Sequence, residues 1–406
     1  MTAELRSKLA ADIEALAAIE RPSASPGEEQ AAHWLQSRFH DLGLAAEIEP
    51  FSFNPEYWSV WAAHGLLAAT SAGLALTGRR GARLAAAVSA LAAASYWGEL
   101  TTEFHLLRRL LPARISYNVL ARLPHPRPRR VLIISAHHDA AHSGVIFHPA
   151  MFRLLSRLLG PKPDAPSPLR IPLGAMAGIA VGAVARAFGR RGRFSRRMIL
   201  WGAFVNLVFA ALMRSVGRSP VAPGANDDAT GVAVLLALAE SLTREPPRDV
   251  EVWFLSTGSE EGMLGGMQAF LRDHADELAG RRPFVLNVEA AGSGGVVYME
   301  GEGFVRSYRY HEEAVRLAGQ VAAEPEFAAV RAIAGAPFAT DALIATRLGI
   351  PAVTIASLTP EGFVSHYHWP TDTPENVDLD SVELAYRFCH RLIERLLEGE
   401  EAAPVF

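Results

Sequence analysis

The sequence predicts an α/β fold: a mostly parallel or mixed central sheet with helices on both faces, carrying two inserted hydrophobic helical hairpins. Three observations predict it. Short apolar runs without alternation recur, as in VLIISA (131–136), EVWFLST (251–257) and PAVTIAS (351–357). A strand covered on both faces reads this way. Helical stretches separate these runs, and strands alternating with helices make a mostly parallel sheet. Two alanine-rich stretches, 58–99 and 165–215, fit no strand pattern, and each is split by an arginine-rich tip.

The elements follow in order. Residues 4–20 read as a helix. Ser25-Pro26-Gly27-Glu28 starts the next, with a serine cap, proline at the first position and glutamate three after the cap. It runs to about His40 and stops near Gly43. AAEIEPFSF (45–53) and ISYNVLARL (115–123) read as strands ahead of VLIISA. GVAVLLALAESL, after Thr230, is an apolar helix. FVLNVEA (284–290) and GVVYME (295–300) are strands, followed by helices near 304–320 and 340–348, and a last helix over 378–397. Ligand-binding residues are then expected beyond the carboxyl ends of strands.

Composition limits the chemistry. The chain has 406 residues, half of them hydrophobic, with net charge −4. That gives an ample core and no basic footprint for nucleic acid. Cys389 is the single cysteine, so any metal must be held by His, Asp and Glu. The N-terminal MTAELRSKLAADIEALAAIE is charged and helical, with no signal-peptide apolar core. One catalytic domain is expected from 1–57, 100–164 and 216–406, with hairpins 58–99 and 165–215 inserted.

The hairpins have two readings. Their apolar runs, roughly 15–18 residues each, are shorter than the ~20 a bilayer normally needs. Buried or interface helices of a soluble enzyme would fit that. Charges confined to the ends favour four short membrane-embedded helices. If they span, the positive-inside rule puts both arginine tips in the cytoplasm and the catalytic domain on the extracytoplasmic side. A cytoplasmic location, or embedding in the interface, is the alternative.

Five segments carry chemistry. His137 and Asp139 end the VLIISA strand and, two apart, share a face. One can ligate a metal while the other orients it. Asp227 and Asp228 precede the apolar helix in PGANDDATG. Helix capping explains one of them more easily than both. Glu260 and Glu261 follow an apolar strand in STGSEEGMLGG; surface Glu-Glu pairs are common, but in a dry cleft these repel unless a cation intervenes. Glu289 ends the strand in LNVEAAGSGG. His366, His368 and Asp372 lie in the loop SHYHWPTDTPENVD. Oxygen and nitrogen ligands without cysteine suit a pair of zinc or related divalent ions, and a two-metal site suits hydrolysis of an amide or ester.

Together HHD, PGANDDATG, SEEGMLGG, LNVEAAGSGG and HWPTDTPENVD resemble the M28 family of zinc metallopeptidases, mainly aminopeptidases. SASPGEEQAAHWLQSRFHDLGL and TDALIATRLGIPAVTI fit as well, so the resemblance spans nearly everything but the hairpins. It implies two zinc ions per chain, one held by His137, Asp227 and Glu289, the other by Asp227, Glu261 and His368. It implies Asp139 as the support of His137, Glu260 as general base, and peptides with a free N-terminus as substrates, attacked by a water held between the metals. The His-x-x-x-Asp-Thr spacing favours His368 over His366. Asn226 departs from the family, which often has an acid there, at a position that is not a ligand. The hairpins are the larger departure, although LNVEAAG looks similar to membrane-bound relatives. Two rivals remain: a single-zinc glutaminyl cyclase on the same fold, and a non-catalytic receptor or scaffold domain.

Overall fold

The computed structural model describes residues 3–150, 153–154 and 166–401. The expected boundary between 164 and 165 lies outside the described residues. The helices expected near 4–20 and from Pro26 form as α1 (Ala3–Ala17) and α2 (Pro26–Asp41). Ser25 caps α2 by accepting the Glu28 N–H at 3.2 Å.

An eight-stranded mixed sheet has the order β1-β2-β4-β3-β5-β10-β6-β9. Its members are β1 (Ala46–Phe53), β2 (Arg114–Leu123), β3 (Arg130–His137), β4 (Val250–Thr257), β5 (Pro283–Glu289), β6 (Gly295–Met299), β9 (Arg331–Ile333) and β10 (Ala352–Leu358). The middle strands β4, β3, β5 and β10 are parallel; β1, β2 and β6 join antiparallel. β3 shows why its run lacks alternation. Leu132 and Ile134 face one core, against α1, α2, α7 (Thr230–Arg244) and α12 (Leu379–Glu401). Val131 and Ile133 face another, against α8 (Gly265–Asp273) and α11 (Asp341–Arg347). β4 and β5 flank β3 on opposite sides, so their carboxyl ends form a crevice where the strand order switches.

The helix expected over 304–320 is a correction: the helix present is α10 (Glu312–Ala322). A two-stranded ribbon, β7 (Gly301–Glu302) with β8 (Tyr308–Arg309), occupies the earlier part. Gly303, at φ +133°, makes the turn, where a Cβ would lie 2.2 Å from the Arg306 carbonyl. Buried Glu302 pins the ribbon, accepting from Tyr310 Oη and the Thr340 N–H at 2.7 Å each.

The alanine-rich stretches form four helices: α3 (Tyr57–Leu76), α4 (Arg79–Thr101), α5 (Arg170–Ala187) and α6 (Arg193–Val216). They pack as α3–α4–α5–α6 with α6 closing on α3. They are 20, 23, 18 and 24 residues long, so the bilayer-length shortfall expected from the apolar runs is not what forms. Among the described residues three, α3, α5 and α6, are long and apolar enough to cross a membrane. The expected fourth, α4, is not among these; it carries Arg79, Arg80, Arg83 and Glu99 and is rich in alanine and serine.

The bundle hides polar groups and displays apolar ones. His64 bonds Ser95 at 2.8 Å and Ser71 bonds Ser89 at 2.6 Å inside it. Leu67, Leu91, Val181, Trp201, Phe204 and Leu207 are 41–65% exposed outside it. α5 and α6 approach closely through Gly202, where a Cβ would come 2.7 Å from the Ala175 carbonyl, the small-residue packing typical of helices in lipid. The tips lie together, since Arg186 Nε donates to the Ala75 carbonyl at 2.9 Å. At the opposite end Tyr57 and Val216 share a core with Met263 and Val305 of the α/β part.

Candidate metal centre

The centre forms at the carboxyl ends of β3, β4 and β5. Ser135 pairs with Asn287, so two residues on His137 and Glu289 stand side by side. His137 Nε2 is 3.3 Å from Glu289 Oε1 and 3.2 Å from Asp227 Oδ1. The other Asp227 oxygen, Oδ2, is 3.4 Å from His368 Nε2, which is 2.9 Å from Glu261 Oε2. Two groups of donors result, His137–Asp227–Glu289 and Asp227–Glu261–His368, each with its ligand atoms within 4.8 Å of one another. Asp227 belongs to both, one oxygen to each.

Asp139 organises the surroundings. Its Oδ1 lies 3.3 Å from His137 Nδ1, and its two oxygens accept the backbone N–H groups of Glu260 and Glu261 at 3.1 and 3.2 Å. Ser23 Oγ donates to it at 2.5 Å. Glu260 is 7% exposed and belongs to neither donor group. His366 lies outside both groups as well, with Nδ1 2.6 Å from Thr371 Oγ1. His138 points away from the centre toward Ser256 Oγ at 3.0 Å, and burial pushes its pKa down to about 3. Asn226 bonds the Gly292 N–H and Ser293 Oγ.

Sequence reasoning named Asp228 and Asp372 without their partners and missed Arg21. Asp228 does cap α7, accepting the Gly231 N–H at 3.0 Å, and also accepts the N–H groups of Ala290 and His137. Asp372 accepts the Asn226 and Asp227 N–H groups at 2.8 and 3.2 Å. Fully buried Arg21 donates to the carbonyls of His138, Pro223 and Gly224, tying the His137 and Asp227 segments together. A lone arginine more than a hundred positions from its partners leaves no spacing signal.

The electrostatics call for a cation. Burial, then Glu289, raises Glu260 well above the usual carboxylate range, and burial raises Glu261 to about 7. Burial opposes ionised Asp227 too, but His137 and His368 hold it well below that range. Burial disfavours charged His368, yet Glu261 and Asp227 raise it to about 10. Asp227 Oδ2, Glu261 Oε1 and His368 Nε2 are buried without a hydrogen-bond partner. His368 Nε2 is close to two carboxylates yet aligned to bond neither. Converging, unpartnered donor atoms among mutually repelling carboxylates fit divalent cations. A separate cavity of about 550 Å³, lined by Glu103, Arg306, Tyr308, Arg309 and Arg347, lies away from these residues.

Comparison with known proteins agrees with this geometry. The model of Peptidase family M28 matches residues 207–393. A vacuolar membrane protease of Lachancea thermotolerans is 40% identical over 76 residues, 19% of this chain and 8% of that protein. Endoplasmic reticulum metallopeptidase 1 of Mus musculus is 31% identical over 168 residues, 40% of this chain and 18% of that protein. The matches thus span less than a fifth of either curated relative. BSAP, a zinc aminopeptidase from Bacillus subtilis, superposes with TM-score 0.56 at 13% identity, covering 96% of this chain and 94% of that one. An aminopeptidase from Aneurinibacillus sp. gives 0.54 at 15% identity, covering 96% and 93%. Glutaminyl cyclase from Porphyromonas gingivalis gives 0.53 at 14% identity, covering 96% and 98%. Such identities establish a shared fold alone. The segment matched by the family model carries Asp227, Glu260, Glu261, Glu289 and His368, and so includes much of the centre.

Proposed function

We propose that this chain is a membrane-anchored aminopeptidase that uses two zinc ions to remove the first residue of peptides with a free N-terminus. One observation carries the reading: Asp227 directs its two oxygens into two donor groups, while Glu260 stands beside them in neither. In this reading His137, Asp227 and Glu289 hold one ion, and Asp227, Glu261 and His368 the other. Bound there, zinc would acidify a water and stabilise the developing oxyanion. Glu260 takes the proton of the attacking water and passes it to the leaving amine. Asp139 fixes the orientation of His137 and carries the Glu260 and Glu261 backbone on its oxygens. The surplus of buried carboxylates favours a substrate ammonium group. A shared bridging carboxylate supports this reading over a cyclase with a single zinc.

The bundle is the anchor. At 1.5 Å per residue, helices of 18–24 residues reach roughly 27–36 Å, enough for the hydrocarbon core. With both arginine tips at one end, the positive-inside rule places them in the cytoplasm and the centre on the opposite side.

The test is a peptide panel read by mass spectrometry with detergent-purified protein. Release of single N-terminal residues, blocked by acetylating the N-terminus, is expected. Cyclisation of N-terminal glutamine without cleavage would replace this reading with the cyclase.

A further inference from the structure

The bundle is bonded to the turn that carries Glu260 and Glu261. Arg108, 4% exposed, follows the end of α4. Its Nε and Nη2 donate to Glu99 Oε2, on the last turn of α4, at 3.0 and 2.9 Å. Its Nη1 reaches the Gly262 carbonyl at 2.9 Å, and also the Asn54 carbonyl. A second route starts from the other Glu99 oxygen. Oε1 lies 3.2 Å from His105 Nδ1, a close contact not aligned as a hydrogen bond, and His105 Nε2 bonds Gln268 Oε1 at 3.2 Å. Gln268 Nε2 then donates to the Met263 carbonyl at 2.8 Å. Both routes therefore end on consecutive carbonyls directly after Glu261. The Met263 side chain itself packs into the bundle core with Tyr57.

This turn needs holding. Ser259, Met263 and Leu264 sit at φ +47°, +90° and +61°, a region non-glycine residues occupy only when their surroundings impose it. From the α/β side, Asp139 accepts the N–H groups of Glu260 and Glu261, and Glu28 accepts that of Ser259 at 2.8 Å. The α/β side supplies acceptors for the N–H groups before and at the pair. Arg108, held by Glu99 of the bundle, and Gln268 of α8, reached through His105, supply donors for the carbonyls after it. Both sets add to the turn's own bonds, from the Met263 and Leu264 N–H groups to the Glu260 carbonyl and from the Gly265 N–H to the Ser259 carbonyl.

We propose that Arg108 and Gln268 are positioning residues through which the bundle sets the geometry of the Glu260–Glu261 turn, so that the bundle serves the reaction as well as anchoring the chain. The inference rests on the roles proposed above for Glu260 and Glu261. Glu99→Leu/Arg108→Met cuts the first route and takes Glu99 from the head of the second, without stranding a buried charge, because both partners of the ion pair leave together. Gln268→Leu cuts the second and touches no ion pair.

The primary readout is amide hydrogen exchange on the metal-free full-length protein. Exchange over 259–264 is expected to rise about tenfold or more in each variant, while α7 is unchanged. The second readout is turnover of zinc-loaded protein. There kcat should fall about tenfold or more with KM and zinc content retained, as expected from misplacing a reacting group. Unchanged exchange over 259–264 with unchanged kcat overturns the proposal. So does a rise in exchange spread over the whole chain, or zinc loss in step with activity, since either marks a merely structural role. A wild-type protein without peptidase turnover would sink the proposed function, while the exchange result would still decide the positioning.

Discussion

Glu260→Gln removes a proton acceptor and a charge while keeping the volume of the side chain. The structure separates its expected effects. Glu260 is in neither donor group, so both metals should stay. Its backbone N–H, bonded to Asp139 at 3.1 Å, survives the substitution and keeps the main chain at 260 in place. What is lost is proton transfer, worth ~10²–10⁴ in rate, or about 2.7–5.5 kcal/mol. At 7% exposure there is little room for bulk water to act in its place, so a loss near the upper end, ~10³ or more, is expected. Stability should move the other way. Burial, Glu289 and Asp341 all disfavour the Glu260 carboxylate, so the neutral amide should raise the melting temperature of the metal-free protein. The assay is kcat and KM on a cleaved peptide, zinc by elemental analysis, and thermal melts with and without chelator. A kcat within about threefold of wild type, far short of what a general base contributes, would refute the reasoning, as would zinc loss.

Other expectations follow from the same geometry. Asp227→Asn, altering the one carboxylate common to both donor groups, should lower zinc content at both positions; elemental analysis showing undiminished zinc would contradict the bridging role. In the metal-free centre Glu261 titrates at about 7 and His368 at about 10, and ligands bind deprotonated. Zinc binding should therefore release protons and tighten as pH rises from 6 to 8, which calorimetry in buffers of different ionisation enthalpy will show or refute. Glu302 is buried and raised to about 8, so the folded state keeps a proton that the unfolded chain sheds near 4.5. Its contribution is complete below pH 4.5 and lost as pH rises to about 8, at up to about 1.4 kcal/mol per unit. Melts of Glu302→Gln from pH 5 to 8.5 should accordingly decline less steeply than wild type; parallel curves would count against the shift. For topology, Cys389 is buried and gives little background, so a cysteine at Arg191 should resist an impermeant maleimide in intact cells. Labelling from outside would invert the orientation.

The sheet and its crevice were legible because periodicity survives folding. A two-residue period puts His137 and Asp139 on one face, and the structure brings their side chains within 3.3 Å. The capping reading of the Asp227–Asp228 pair holds for Asp228, while Asp227 faces the metal centre. What escaped was set by long-range partners. The 301–310 ribbon depends on Glu302 meeting Thr340, and β9 on pairing with β6; neither leaves a local pattern. Arg21 and Arg108 look like surface charges in the sequence, and only burial beside distant carbonyls reveals their work. The hairpins read as helices from composition, but their tie to the Glu260–Glu261 turn runs through Glu99 and Arg108, outside the apolar runs.

Zinc per chain, measured on detergent-purified full-length protein after exhaustive dialysis and controlled reloading, tests the central claim most directly. The account predicts saturation close to two ions per chain, falling when Asp227 is replaced. Saturation at one ion, or none, would contradict a centre bridged by Asp227.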